Sequence, residues 1–229
     1  MTERLPVLLA WSGGKDAAWT LHTLRRRDDV EVVGLLTTVT EDYDRVSMQG
    51  IRRSVLHAQA RAAGLPLIEA MIAARCTNDD YECAMTAALA RASQRWPTLR
   101  TVAFGDLFLD DIRAYRVRNL AKIGWDVMTP LFGADTGVLA REMIAGGLRA
   151  RLCCVDTQQL DIAFGGRAFD ETLLRDLPAE VDPCGENGEF HTCVSAGPMF
   201  DAPLALLQGD TGLRDGRFAF TDFELADAS

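Results

Sequence analysis

Leu5-Pro6-Val7-Leu8-Leu9-Ala10-Trp11-Ser12-Gly13-Gly14-Lys15-Asp16 decides how the rest of the chain is read. An apolar run of this length reads as a buried strand. It ends in a Gly-Gly turn that opens onto a helix-compatible stretch, Ala17 to Arg27. Paired glycines allow backbone angles closed to other residues, so an anion can approach the amides. The helix that follows directs its unpaired N–H groups at that anion, which makes the junction a phosphate cradle. A helix end contributes at most about 2 kcal/mol toward a bound charge, whereas micromolar affinity needs about 8 kcal/mol. Lys15 and a metal cation are therefore expected to supply much of the rest. Of the 24 basic residues only Lys15 and Lys122 are lysines. A compact ammonium on a flexible stem suits a phosphate tail that moves during a reaction.

Downstream, helical and extended patterns alternate. Ala17, Leu21 and Leu24 keep helical spacing, and Val30 to Val39 is a β-branched run. Ile51, Val55, Ala58 and Ala62 mark a second helix ended by Gly64, and Pro66 to Ile72 reads as a strand. Tyr81, Met85, Ala88 and Ala92 mark a third helix stopped by Trp96-Pro97, before the strand Thr101 to Phe104. This alternation predicts an α/β fold with a parallel sheet between helices. Ligands of such sheets bind beyond the carboxyl ends of the strands, so the Ser12 turn, Thr37-Thr38 and Gly105-Asp106 are expected to line one crevice. Thr129-Pro130-Leu131-Phe132-Gly133 punctuates the chain. Beyond it come a helix from Thr136 to Ala145, a strand from Arg149 to Asp156, and a turn-rich stretch with a hairpin or edge strand around Phe218, Phe220 and Phe223. The expected organisation is a phosphate-binding α/β domain over residues 1–134 and a smaller α+β lobe over residues 135–229.

With 229 residues and 48% hydrophobic content the chain can bury a full core. A formal net charge of −9 argues against a nucleic-acid surface, where Lys and Arg must neutralise phosphates. No apolar run approaches the roughly 20 residues of a membrane span. Met1-Thr2-Glu3-Arg4 has no signal-peptide character, so a cytoplasmic location is expected. Six cysteines, at 76, 83, 153, 154, 184 and 193, form no C-x-x-C pair. They read as reduced thiols, since a zinc site wants closer spacing and further ligands.

Residues 184 to 193, Cys-Gly-Glu-Asn-Gly-Glu-Phe-His-Thr-Cys, gather Glu186, Glu189 and His191 around two glycines. Either this is a glycine turn with solvated carboxylates, or it folds over the crevice. In the second case the carboxylates hold Mg²⁺ together with phosphate and water, or receive a cationic substrate or ammonia. His191 would then be the natural proton acceptor, its unperturbed pKa lying near neutrality.

A Walker loop is excluded, because Lys15 is followed by Asp16 and Leu9 holds the required first glycine position. Strand, Ser-Gly-Gly-x-Asp and helix instead resemble the PP-loop of the ATP pyrophosphatases, which grips the β- and γ-phosphates and leaves the α-phosphate open to attack. The residue after the Asp is usually Ser in that family and is Ala17 here. Ser12-Gly13-Gly14-Lys15-Asp16, then Gly105-Asp106-Leu107-Phe108-Leu109-Asp110-Asp111-Ile112-Arg113, then Glu186-Asn187-Gly188-Glu189-Phe190-His191-Thr192 together resemble the diphthine–ammonia ligase family of PP-loop enzymes, over residues 5 to about 200.

The resemblance implies a Rossmann-like fold of the adenine-nucleotide α-hydrolase type and the use of ATP with Mg²⁺. A carboxylate, small-molecule or protein-borne, would be adenylated and then converted by ammonia to an amide, with AMP and pyrophosphate as products. It implies that Ser12, Gly13, Gly14 and Lys15 bind the β,γ-phosphates, with Asp16 orienting Mg²⁺ and Ala17 beside them. Thr37 and Thr38 would meet adenosine, Gly105 and Asp106 would line the nucleotide site, and the planar fork of Arg113 would meet phosphate or a carboxylate. Lys15, Asp16, Glu186, Glu189 and His191 form the expected catalytic set. In the diphthine-acting branch the late motif reads Glu-Gly-Gly-Glu-[Phe/Tyr]-Glu-Thr, so Asn187 and His191 depart from it. The arginine-heavy, alanine-rich composition suggests a bacterial coding sequence, and diphthine occurs on an archaeal and eukaryotic elongation factor. The activation chemistry is expected to carry over and the acceptor to differ. Two rivals use the same loop: a sulfur-transfer or tRNA-modifying enzyme, which predicts a basic face and a reactive cysteine pair, and a non-catalytic nucleotide sensor. A homodimer is compatible with either, and no membrane partner is expected.

Overall fold

The computed structural model describes residues 4–226. Through its first part run β1 (Leu5–Ala10), α1 (Lys15–Arg25), β2 (Val30–Thr40), β3 (Arg45–Val46), α2 (Arg53–Ala62), β4 (Leu67–Ile72), α3 (Asn78–Arg95), β5 (Thr101–Ala103), α4 (Asp110–Ala121) and β6 (Asp126–Met128). Alternation along β1 sends Val7 and Leu9 into one apolar cluster and Leu8 into another. A strand buried on both faces suits parallel pairing, and β1 pairs in parallel with β2 on one edge and β5 on the other. β4 continues the sheet beyond β2 and β6 beyond β5. Ala17, Leu21 and Leu24 of α1 with Val55, Leu56 and Ala60 of α2 cover one face. Ala88, Leu89 and Ala92 of α3 with Leu120 of α4 cover the other. The architecture is the Rossmann-like α/β fold that the alternation predicts.

Three details differ from the sequence pattern. α1 begins at Lys15, because the glycine turn is only as long as its positive-φ residue requires. The buried face of α2 carries Val55, Leu56, Gln59 and Ala60, not the Ala58–Ala62 stripe, since alanine marks a helix face poorly. β3 is a short antiparallel return beside the end of β2. It falls where β1 has stopped pairing, at Leu36, and leaves Thr37 and Thr38 beyond the end of β1.

The chain continues through α5 (Thr136–Ala145), β7 (Arg149–Asp156), α6 (Glu171–Asp176), β8 (Phe190–Ala196), β9 (Leu206–Arg214) and β10 (Phe218–Leu225). The last four strands form an antiparallel sheet in the order β8-β7-β10-β9. Residues 190 to 193 are therefore strand and not loop; the glycine turn is confined to residues before Phe190. Phe190, Cys193 and Val194 of β8 join Val7, Leu9 and Leu56 in one continuous apolar cluster, so the second sheet packs onto the α1–α2 face of the first.

Gly105 sets the approach between the end of β5 and the start of α1. A Cβ there would lie 2.9 Å from the Asp16 carbonyl carbon and 3.1 Å from the Ala17 amide nitrogen. These are backbone atoms and cannot swing aside. Gly105→Ala is expected to cost about 1–3 kcal/mol of stability through overpacking, seen as a lower urea midpoint. An unchanged midpoint would show that the junction is loosely packed.

Candidate active site

Gly13 takes a φ of +81°, a conformation open to glycine at little steric cost. Its carbonyl oxygen accepts from Val194 N at 3.0 Å and from Gln59 Nε2 at 3.0 Å. The same Gln59 amide donates to the Val194 carbonyl at 2.7 Å, and its oxygen accepts from the Trp11 indole at 3.2 Å. Gly14 is the N-cap of α1 and has no side chain to cap it. The Gly14 amide donates to Ser12 Oγ at 3.3 Å, and Lys15 N donates to Thr192 Oγ1 at 3.0 Å. The amides of Asp16 and Ala17, also in the first turn, are paired with no other described residue and remain for a ligand.

Around this helix start lies a cleft of about 550 Å³. Ser12, Gly14, Lys15, Asp16 and Ala17 form its floor, Thr37 and Thr38 one wall, Gly105 and Asp106 the opposite one. Glu186, His191 and Thr192 close it from the second sheet. Three expected residues lie elsewhere. Gly13 turns its carbonyl into the Gln59–Val194 clamp instead of facing the cleft. Glu189 is buried beneath the turn, where its carboxylate accepts from Asp182 N at 2.9 Å and Asn187 Nδ2 at 3.0 Å. Arg113 is exposed with its guanidinium 4.6 Å over the Phe132 ring. The arginine in the cleft is Arg116, because helical spacing from Leu109 and Ile112 brings residue 116, not 113, to that face.

Lys15 is 2% exposed. Its ammonium donates to Asp16 Oδ2 at 2.9 Å and to the Cys184 carbonyl oxygen, with the Phe169 and Phe190 rings 5.6 and 5.5 Å away. Burial opposes its charge, but Asp16, Cys184 and Glu186 hold its pKa above the ordinary lysine value. Burial lifts the Asp16 carboxyl above its usual range against the pull of Lys15. Glu186, whose Oε1 accepts from Leu107 N at 2.7 Å, is raised to about 7 by burial, with Asp16 adding to the shift. His191 is pushed down to about 4 by burial and by Lys15. It is therefore neutral at pH 7 and a weaker proton acceptor than an ordinary histidine. Burial raises the thiols of Cys184 and Cys193 to about 12, so neither is a thiolate nucleophile.

Two sequence models match this chain: the diphthamide synthase N-terminal domain over residues 5–115 and the diphthamide synthase C-terminal domain over residues 135–215. The chain belongs to the diphthamide synthase family. A diphthine–ammonia ligase of Schizosaccharomyces pombe is 28% identical over 221 residues, covering 88% of this chain and 36% of that protein. This chain thus spans little more than a third of the relative's length. Within this diphthamide synthase scaffold, Gln59 and Arg116 are the cleft-shaping residues that motif reading overlooks, while Thr192 closes the third motif without a role assigned to it there. Gln59 alone leaves a trace, as a polar side chain at helical spacing from Val55 and Leu56.

Glu186 is expected to titrate near pH 7 in the free protein, followed by carboxyl carbon NMR. Glu186→Gln should remove that titration and leave the others in place. Because the folded pKa lies above the unfolded one, the native state binds the extra proton between about pH 4.5 and 7. Stability contributed by this group therefore falls as pH rises through that window, and the variant should lack the fall. A Glu186 midpoint near 4.5 would show that the turn is open to water.

Proposed function

We propose that this protein is an ATP-dependent amide ligase, which activates a carboxylate at the α-phosphate of ATP, with pyrophosphate leaving, and transfers the acyl group from AMP to ammonia. One observation carries the reading. The glycine turn at the start of α1 and the acidic turn before β8, separated by most of the sequence, meet across one cleft.

The residues present suit ATP with Mg²⁺. Asp16, Asp106 and Glu186 place three carboxylates in a cleft with two cationic side chains, Lys15 and Arg116, so a bare polyphosphate would meet little net attraction. Among the described residues no three His, Cys, Asp or Glu side chains are grouped to enclose a metal. That suits a cation arriving with its phosphate and taking one or two carboxylate oxygens. Asp16 Oδ1 and Thr37 Oγ1 are buried without partners, the first fitting such a cation or its water and the second a nucleotide. Bound Mg²⁺ would offset the charge of the phosphate oxygens. Lys15 neutralises Asp16 and pins the acidic turn through the Cys184 carbonyl, while the Asp16 and Ala17 amides receive phosphate oxygens. Ser12 and Gly14 shape the floor, Gly105 the wall beside it, and Thr37 and Thr38 border the adenosine.

The acceptor need not be that of the yeast relative. His191 stands in the cleft wall, whereas Asn187 braces Glu189. The first departure from the diphthine-type motif thus changes what a substrate touches and the second does not. The partners this reading requires are an acid, small-molecule or protein-borne, and ammonia. Among the described residues no helix is long and apolar enough to cross a membrane. The buried thiols disfavour the sulfur-transfer alternative.

Incubation with ATP, Mg²⁺, ammonium and candidate acids is expected to yield AMP and pyrophosphate in an acid-dependent manner. Lys15→Met should lower pyrophosphate release by at least about 100-fold with the fold retained by circular dichroism. Formation of ADP, or an unchanged rate in Lys15→Met, would overturn the reading. Tight ATP binding without turnover would favour a sensor.

A further inference from the structure

The guanidinium of Arg116 lies 4.1 Å over the Phe104 ring, and its Nε sits 3.1 Å from Asp106 Oδ2. The approach is off the hydrogen-bond direction, since both of these buried atoms are without a hydrogen-bond partner. Two arginines of this chain that meet carboxylates do so differently. Arg53 closes its fork on Glu69 with contacts of 2.7 and 2.6 Å, and Arg217 does the same on Asp156 at 2.9 and 2.6 Å. Arg116 is held flat against an aromatic ring and lines the cleft, its terminal N–H groups bonded to none of the described residues, a geometry suited to a planar two-oxygen anion.

We propose that Arg116 is the seat of the acid substrate's carboxylate, and that the acid carries this group on an apolar body. The inference rests on the ligase reading above and names the class of its substrate. Met85, Phe104, Leu109 and Ile112 line the cleft beside the guanidinium, and Tyr81 borders the same wall, so an apolar group attached to the carboxylate is sheltered from water. Asp106 offsets part of the arginine's charge, which suits a monoanion better than a polyphosphate. Arg116, on the wall beside Asp106, and the glycine turn on the floor are separate parts of one cleft, so acid and nucleotide have separate holds and can meet between them. Arg116 positions the carboxylate and takes no proton.

Phenylacetate against its neutral isostere phenylacetamide is the probe, with affinities from ligand-observed NMR on the full chain. The acid is expected to bind at least about tenfold more tightly than the amide. Arg116→Gln should bring the ratio near one. Arg116→Lys, which keeps the charge and loses the fork, should lose most of it and covers the case in which the first variant does not fold. Arg118→Gln, an exposed change on the same helix, should leave the ratio intact. Affinity for a non-hydrolysable ATP analogue should stay within about twofold in all three variants. No preference for the acid in the wild type, including no binding of either probe, would overturn the proposal. So would a preference that survives both Arg116 changes, or an equal loss of the ATP analogue, which would assign the arginine to nucleotide. Acid preference without any nucleotide binding would sink the ligase reading and leave the carboxylate seat standing.

Discussion

The start of α1 cannot satisfy itself. A helix leaves its first amides without internal partners, and a glycine N-cap has no side chain to offer them. Here one of those amides is met from the far end of the chain, where Thr192 Oγ1 accepts from Lys15 N, and the turn before it is held by Val194 N and the Gln59 amide, which both donate to the Gly13 carbonyl. Each such bond adds about 1 kcal/mol net, while a buried group left unpaired costs about 1–3 kcal/mol. The glycine turn is therefore as much a product of β8 and α2 as of its own residues. A second sheet is needed to build the first sheet's binding loop.

The same closeness governs the charges. Unit charges about 4 Å apart interact by about 4 kcal/mol at the effective dielectric of a protein surface, enough to move proton affinities by several units. Lys15, buried between Asp16 and the Cys184 carbonyl, stays cationic because removing its proton would strand two acceptors. Asp16 and Glu186, short of water and near each other, rise toward neutrality. His191 falls because it is buried, and the nearby ammonium further disfavours its positive charge. In the proposed reading, a cation entering with the nucleotide would relieve the carboxylates and not the histidine.

Much of this was legible in order along the chain. The apolar run before Ser12, the β-branched stretch after Val30 and the helical spacings of the first three helices lead to the sheet and its layers, because burial on one or both faces imposes periods of 3.6 or 2. The gathering of Ser12, Thr37 and Asp106 at strand ends follows from parallel pairing. Less legible were the directions of side chains. Arg113 and Arg116 share a helix and a charge, and only the rotation of α4 against Phe104 decides which enters the cleft. Glu186 and Glu189 share one turn, yet a single chain reversal puts the first into the cleft and the second under it.

Local pattern determined the elements, the α/β class and the position of the glycine turn, because these depend on steric limits and burial periods that act over a few residues. Tertiary structure alone decided which amides remain open, which arginine enters the cleft, and that burial pushes Glu186 up toward neutrality while it pushes His191 down. Those outcomes depend on partners 177 residues apart for Lys15 and Thr192 and 46 apart for Gln59 and Gly13. Proton affinity and hydrogen-bond satisfaction are set by distance in space, which no spacing along the chain records.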